Sequence, residues 1–356
     1  MQIRENERLA PFTTFGIGGP ARWFAEATSE EDVAEAAAWA GERGVGLFVL
    51  GGGSNLLVAD QGFDGLVLRV ALRGIEAADE ADGKDELIYA AAAGEDWDRF
   101  VERTVLENCA GIECLAGIPG TVGGTPVQNV GAYGQEVASS IERVRAFDLG
   151  TLEFVEFSAA DCGFSYRRSR FNSADRGRFV VTRVDYRLTQ GGKPTLLYAD
   201  LQREIQKVSV EGMGPSLAEV AGAVRRVRHT KGMLLVDGEP DCRSAGSFFK
   251  NPVVTEEQIA RVAECSATKP PRFPAGTGNE NEGRVKVPAA WLIEQAGFAK
   301  GYAAGAAGVS SRHTLALVNR GGASAADVLA LAGEIDAAVQ ARFGIVLEME
   351  PVMVGF

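Results

Sequence analysis

The chain has 356 residues, 46% of them hydrophobic and 24% charged, which suits a globular protein with room for two or three cores. Its formal net charge of -12, with no Lys/Arg cluster, opposes phosphate backbones and anionic lipid surfaces, so neither nucleic acid nor a membrane is an expected partner. Only His229 and His313 are present, and the five cysteines show no CxxC spacing, which excludes a histidine-rich metal centre and points to reduced thiols with no metal site.

Met1–Asn6 lacks an apolar signal core, and no apolar run is long enough to cross a bilayer, so a cytoplasmic protein is expected. Ser29 caps a helix whose first turn holds Glu30, Glu31 and Asp32, with Gly41 and Gly44 as the stop. Val45–Leu50 reads as a buried strand running into Gly51-Gly52-Gly53-Ser54-Asn55. Strands follow at Leu66–Val70 and Leu87–Ala92, then a helix over Asp96–Asn108 with Trp97, Phe100, Val101, Thr104 and Val105 on its apolar stripe. A glycine-rich segment fills 111–134. Val144–Asp148 and Phe154–Phe157 flank Leu149-Gly150-Thr151 as a hairpin, and Phe179–Leu188 is a further strand.

Thr189–Pro194 reads as a domain boundary, dividing the chain into 1–190, with a subdomain split near 71, and 191–356. Helices are expected at Ser216–Arg228, Glu256–Glu264, Ala289–Ala296 and Ala325–Arg342, strands at His313–Asn319 and from Ile345 to 354, and a solvated loop over 267–283. The fold class is α+β in two segregated domains.

Three glycine-rich stretches bear on nucleotide binding. Gly16-Ile17-Gly18-Gly19-Pro20-Ala21 neither follows a strand nor opens a helix, so it lacks the context of a dinucleotide fingerprint. Gly51, Gly52 and Gly53 after a strand can turn consecutive N–H groups into one concavity, with Ser54 and Asn55 as added donors. In Gly117-Ile118-Pro119-Gly120-Thr121-Val122-Gly123-Gly124, Pro119 can open a turn whose amides face an anion. One such amide-rich end contributes about 0.3–1 kcal/mol per charge, so two loops on one pyrophosphate carry more weight than either alone.

These loops, with Gln128-Asn129-Val130-Gly131-Ala132-Tyr133-Gly134, Tyr166-Arg167 with Ser169, and Ala245-Gly246-Ser247-Phe248-Phe249-Lys250-Asn251-Pro252, resemble the UDP-N-acetylenolpyruvoylglucosamine reductase family. The matching blocks run from Thr14-Phe15-Gly16 to Glu350. The resemblance implies a vanillyl-alcohol-oxidase-type FAD-binding region followed by a smaller substrate domain, with NADPH as co-substrate and a UDP-sugar as substrate. It places FAD on Gly51, Gly52, Gly53, Ser54, Asn55, Gly117, Pro119, Gly120, Thr121, Gly123, Gly124, Asn129, Gly131 and Tyr133. Attachment is expected to be non-covalent, because neither loop offers a His or Cys. It places the UDP-sugar near Tyr166, Tyr198, Lys231, Asn251 and His313, with Tyr198 as the closing tyrosine of one family branch.

Arg167, Ser247 and Glu350 are the implied catalytic set. Reduction of a vinyl group bearing a carboxylate builds enolate-like charge, which a guanidinium can hold bidentately while a hydroxyl supplies one proton. Without the resemblance, Arg167 beside Arg168 and Arg170 reads more readily as a solvated cation, and Ser247 as a turn residue. Alternation in 344–352 puts Glu348 and Glu350 on one face and leaves the choice between them open. An FAD-linked oxidase of a hydroxy acid or sugar alcohol is the rival reading. A monomer is expected.

Overall fold

The computed structural model describes residues 1–79, 85–207, 214–266, 268–275 and 282–356. The chain forms two compact units, one of 1–7, 21–53 and 64–230, the other of 8–20, 54–63 and 231–356.

In the first unit, strands Ile3–Arg8, Pro20–Ala27, Phe63–Val70 and Gly46–Leu50 form a four-stranded sheet in that spatial order. Its Gly46–Leu50 and Phe63–Val70 pair is parallel, the connection between them being the glycine-rich loop. Helix α1 (Glu30–Arg43) packs Val33, Ala36, Ala37 and Ala40 into the core. It starts at a capping box between Ser29 and Asp32 and stops at Gly44, as the sequence indicates. A second sheet orders Glu153–Ser158, Ile141–Asp148, Phe179–Gln190, Glu86–Ala92 and Ile75–Asp79, all antiparallel. Helix α2 (Trp97–Leu106) drives Trp97 and Phe100 against Tyr89 and Tyr186 in the same core, the rings meeting at 5.1–6.0 Å between centroids. Helices α3 (Ala199–Gln206) and α4 (Leu217–Thr230) complete this unit, with Leu201, Ile205, Val220 and Val224 in its core.

The compact units therefore divide the chain differently from the expected 1–190 and 191–356. Chain composition at 189–194 reads as a hinge, yet a buried carboxylate holds the segment just beyond it. Glu113 Oε1 accepts from Thr195 N at 2.8 Å, and Cys114 Sγ donates to Thr195 O at 3.2 Å. The chain leaves this core only after Thr230.

The second unit holds helices α5 (Glu256–Glu264), α6 (Ala289–Gln295) and α7 (Ala325–Phe343) beside two small antiparallel sheets. One comprises Val253–Thr255, Arg284–Lys286 and Phe273–Pro274, the other Ala303–Ala304, Ala307–Val309 and Leu317–Asn319. Within the expected 267–283 loop, Phe273–Pro274 is thus a strand, while 267 and 276–281 lie outside the described residues. Segments 8–20 and 54–63 belong here because they bind the C-terminal part directly. Leu56–Val58 pairs in parallel with Val352–Val354, Asn319 Nδ2 donates to Phe15 O, and Asp60 caps the first amides of α7. The glycines at 16–19 serve this packing: a Cβ on Gly19 would lie 2.2 Å from Asp60 O.

The strands expected at 313 and 345 begin later, at Leu317 and Val352. Ile345 and Leu347 are buried and Val346 and Glu348 exposed, so the alternation reports burial, and before Val352 the segment forms only an isolated bridge at Met349. All five cysteines are free thiols.

Candidate active site

In the first unit the two glycine-rich loops lie back to back. A Cβ on Gly52 would approach Gly120 Cα to 2.6 Å, and one on Gly51 would reach Thr121 Oγ1 at 2.9 Å, so the loops meet only because neither carries a side chain there. Among the described residues, the amides of Gly52, Gly53, Gly120 and Thr121 donate to no protein acceptor. Gly53 is buried, Gly120 and Thr121 half-buried and Gly52 exposed, and four open donors in two abutting loops fit an anionic ligand such as the pyrophosphate of FAD. The 117–124 loop is laid against the start of α2. Trp97 Nε1 donates to Leu115 O, Trp97 N donates to Gly120 O, and Val122 N donates to Glu95 O. Gly123 packs against Ala93, and Gly124 is exposed with open space around it.

The 127–134 segment meets the turn that carries Tyr166 and Arg167. Ser165 and Arg168 exchange backbone hydrogen bonds of 2.9 and 3.0 Å, leaving Tyr166 and Arg167 at the tip. Arg167 adopts φ +56°, a region that an arginine rarely occupies. Its Nη2 donates to Gly131 O at 3.0 Å, and its guanidinium lies 5.5 Å from the Tyr166 ring centre. Asn172 Nδ2 donates to Arg167 O, and buried Ser169 anchors the turn by donating to Val127 O at 2.6 Å. Asn129 and Tyr133 are left-handed too, at +46° and +52°.

Asn129 is engaged within the protein. Its Nδ2 donates to Glu136 Oε2 and Ser165 O, and its Oδ1 accepts from Ala138 N. Both amide hydrogens are used inside the protein, so the side chain holds the turn in place. Burial raises the Tyr133 phenol, with Arg228 opposing, so the hydroxyl stays protonated. Its ring meets the exposed Tyr198 ring edge-on at 6.1 Å.

In the second unit, Ser247 follows Gly246, whose φ is +72°. A bridge pairs Phe249 with Met349, Glu350 N donates to Phe248 O at 2.9 Å, and Lys250 N donates to Glu348 O at 2.8 Å. This ladder brings Ser247 within one rung of Glu350. It also separates the two glutamates: Glu348 is exposed and ion-paired with Lys250 at 2.5 Å, whereas Glu350 is half-buried. Phe248 is fully buried against Phe15 and Phe249, which fixes the segment that follows Ser247.

Asn55 supports Glu350: its Nδ2 donates to Glu350 O at 3.3 Å, and its own carbonyl accepts from Val352 N. Ser54 O accepts from Thr14 Oγ1. Asn251 Oδ1 accepts from Ala289 N at the start of α6, while its Nδ2 has no partner among the described residues. His313 is held neutral, its pKa lowered to about 4 by burial and by Lys231 and Lys300 beside it. Among the described residues no group of His, Cys, Asp and Glu could hold a metal ion, and no helix is long and apolar enough to cross a membrane.

Two regions of the chain match known families. Residues 21–153 match the FAD binding domain, and 239–354 match the C-terminal domain of UDP-N-acetylenolpyruvoylglucosamine reductase. The UDP-N-acetylenolpyruvoylglucosamine reductase of Streptomyces coelicolor is 48% identical over 98% of this chain and 89% of its own length. That of Thermobifida fusca is 46% identical over 98% and 97%. The chain belongs to the UDP-N-acetylenolpyruvoylglucosamine reductase family. A crystal structure of UDP-N-acetylenolpyruvylglucosamine reductase from Thermus caldophilus superposes with a TM-score of 0.66 at 27% identity, covering 99% of this chain and 100% of that one.

The two matched regions include both glycine-rich loops, and both Ser247 and Glu350. Membership leaves unexplained a set of charged residues around Gly117 that the sequence did not single out. Asp98 of α2 and Arg225 and Arg228 of α4 all converge there. Separation along the chain hid them, since each reads locally as an ordinary polar position on a helix.

Proposed function

We propose that this reductase-family protein converts the enolpyruvyl group of UDP-N-acetylglucosamine enolpyruvate to the lactyl ether of UDP-N-acetylmuramate, a peptidoglycan precursor, with NADPH as co-substrate. The observation that carries the reading is the pair of family matches, an FAD binding domain at 21–153 and a reductase-specific domain at 239–354, on one chain. The second match is what an FAD-linked oxidase on the same scaffold would not share. Bound FAD supplies hydride transfer between NADPH and the substrate double bond.

The residues of the chain divide the remaining work. The amides of Gly52, Gly53, Gly120 and Thr121 hold the anionic part of the cofactor, backed by Gly51, Gly117, Pro119, Gly123 and Gly124. Ser54 and Tyr133 flank these loops in sequence. Arg167 clasps the substrate carboxylate, and its rigid, strained turn means that little reorganisation is needed as charge grows. Ser247 Oγ gives its proton to the carbon that bears the carboxylate, the hydride having gone to the methylene carbon. Glu350, half-buried and within one rung, assists that proton transfer. Lys231 and Asn251 Nδ2 meet the diphosphate side of the substrate, where a neutral His313 donates without adding charge. Tyr166 and Tyr198 contact the substrate, the exposed Tyr198 closing over the nucleotide. The protein works as a cytoplasmic monomer, which light scattering of the purified protein checks.

The test is NADPH oxidation by the purified flavoprotein with and without UDP-N-acetylglucosamine enolpyruvate. Oxidation that requires the sugar nucleotide and consumes no matching oxygen supports the reading. Oxidation that ignores it and tracks oxygen overturns the substrate and the role of Ser247 together.

A further inference from the structure

The peptide units around Gly117 are gripped from two helices. Gly117 N donates to Asp98 Oδ1 at 2.5 Å, and the same oxygen accepts from Arg225 Nη2 at 2.7 Å. From the other side Arg228 Nε donates to Gly117 O at 2.9 Å. Gly117 itself is buried and left-handed, at φ +72°. Three charged side chains, two from α4 and one from α2, therefore fix both polar groups of one glycine that stands three residues before Gly120. The Asp98–Arg225 pair is about one-third exposed on each side, too wet for much ion-pair stabilisation. Its geometry has a different consequence: the peptide dipoles at the start of the loop cannot rotate while Asp98 accepts and Arg228 donates.

We propose that Asp98, Arg225 and Arg228 are positioning residues for the cofactor-binding loop, holding the Gly117 peptides so that the Gly120 and Thr121 amides stay aimed at the FAD pyrophosphate. The inference rests on the assignment of that loop to FAD. Asp98 is the centre of the device, since it accepts from the loop and from α4 with one oxygen. Arg225 orients that carboxylate, and Arg228 orders the carbonyl. Helix α4 ends two residues later, at Thr230, where the chain leaves the first unit.

The test compares FAD dissociation from the holoprotein, followed by the rise of flavin fluorescence on dilution, in wild type, Asp98→Ala, Arg225→Ala and the double variant. A charge-assisted hydrogen bond lost from a preorganised site predicts a dissociation constant about 10- to 100-fold higher for Asp98→Ala. Arg225→Ala gives a smaller rise, and the double variant no more than Asp98→Ala alone, because Arg225 acts through Asp98. Asp98→Asn, which keeps the acceptor for Gly117 N, recovers most of the affinity, and the visible circular dichroism of the bound flavin returns with it. Additive losses, or an unchanged dissociation constant with a lowered melting temperature, make these residues merely structural and overturn the proposal. Should Asp98→Ala fail to fold, Asp98→Asn and Arg225→Ala decide the matter by the same two readings. Wild-type protein that binds no FAD would instead sink the loop assignment on which the inference stands.

Discussion

Every described non-glycine residue with positive φ lies in the first unit, and three of them, Asn129, Tyr133 and Arg167, occupy one neighbourhood. In the second unit the left-handed positions are glycines, including Gly246 just before Ser247. Each left-handed side chain costs on the order of 1–2 kcal/mol, so the Arg167 turn carries strain that the Ser247 segment avoids. The first region offsets that cost with hydrogen bonds to Gly131 O, Val127 O and Arg167 O. The backbone at Arg167 is strained and held by its neighbours, whereas the backbone leading into Ser247 meets its left-handed position with a glycine. Under the proposed roles, orientation is built in at Arg167 and stability is left intact around Ser247.

Variants break or sharpen that contrast. The largest effect expected is for Ser247→Ala, a loss of about 10²–10⁴ in turnover with FAD retained and melting temperature unchanged, since no stabilising contact of the hydroxyl is at stake. Steady-state kinetics with a flavin spectrum checks it, and undiminished turnover removes Ser247 as proton donor. Next, Arg167→Gly should cost about 10²–10³ in turnover while the melting temperature holds or rises by up to about 3 °C as strain is relieved. A melting temperature several degrees lower would mean that the turn exists for stability, and the contrast between the regions would go.

Gly52→Ala probes the loops directly. The added Cβ meets Gly120 Cα at 2.6 Å, and overpacking of this kind costs about 1–3 kcal/mol, seen as earlier release of flavin on heating. For His313, the folded pKa of about 4 lies below the ordinary 6.5, so its contribution to stability is present above about pH 6.5 and fades as pH falls toward 4. Comparing melting temperatures of wild type and His313→Asn from pH 8 to 5 should show the flatter profile in the variant; parallel profiles would show an exposed, ordinary imidazole. Smallest is Glu348→Gln, which removes an exposed ion pair with Lys250 and should change turnover less than about fivefold. A loss matching that of Glu350→Gln would count against assigning the role to Glu350 alone.

Elements whose signals are local were legible in the chain. Helix Glu256–Glu264 and the hairpin around Leu149-Gly150-Thr151 follow from caps, periodicity and turn residues within a few positions. The strand expected from Ile345 failed because alternation records which side faces the core, and burial can alternate without a ladder partner. Thr189–Pro194 looked like a boundary for a related reason: its composition is that of a linker, while Glu113, 82 residues earlier, holds Thr195.

At the site, the residue types and their order were readable: two glycine-rich loops, Arg167, Ser247, and a glutamate near the end. That Glu350 is half-buried while Glu348 is exposed, and that Asn129 bonds within the protein, were not. The sequence by itself determined the family, the chemistry available to it and the short elements, because caps, glycines and periodicity act over a turn or two of chain. That Asp98 meets Arg225 across 127 positions and Asn55 meets Glu350 across 295 emerged from the folded chain alone. Such hydrogen bonds depend on how whole cores pack, and a local pattern of residues carries no record of that.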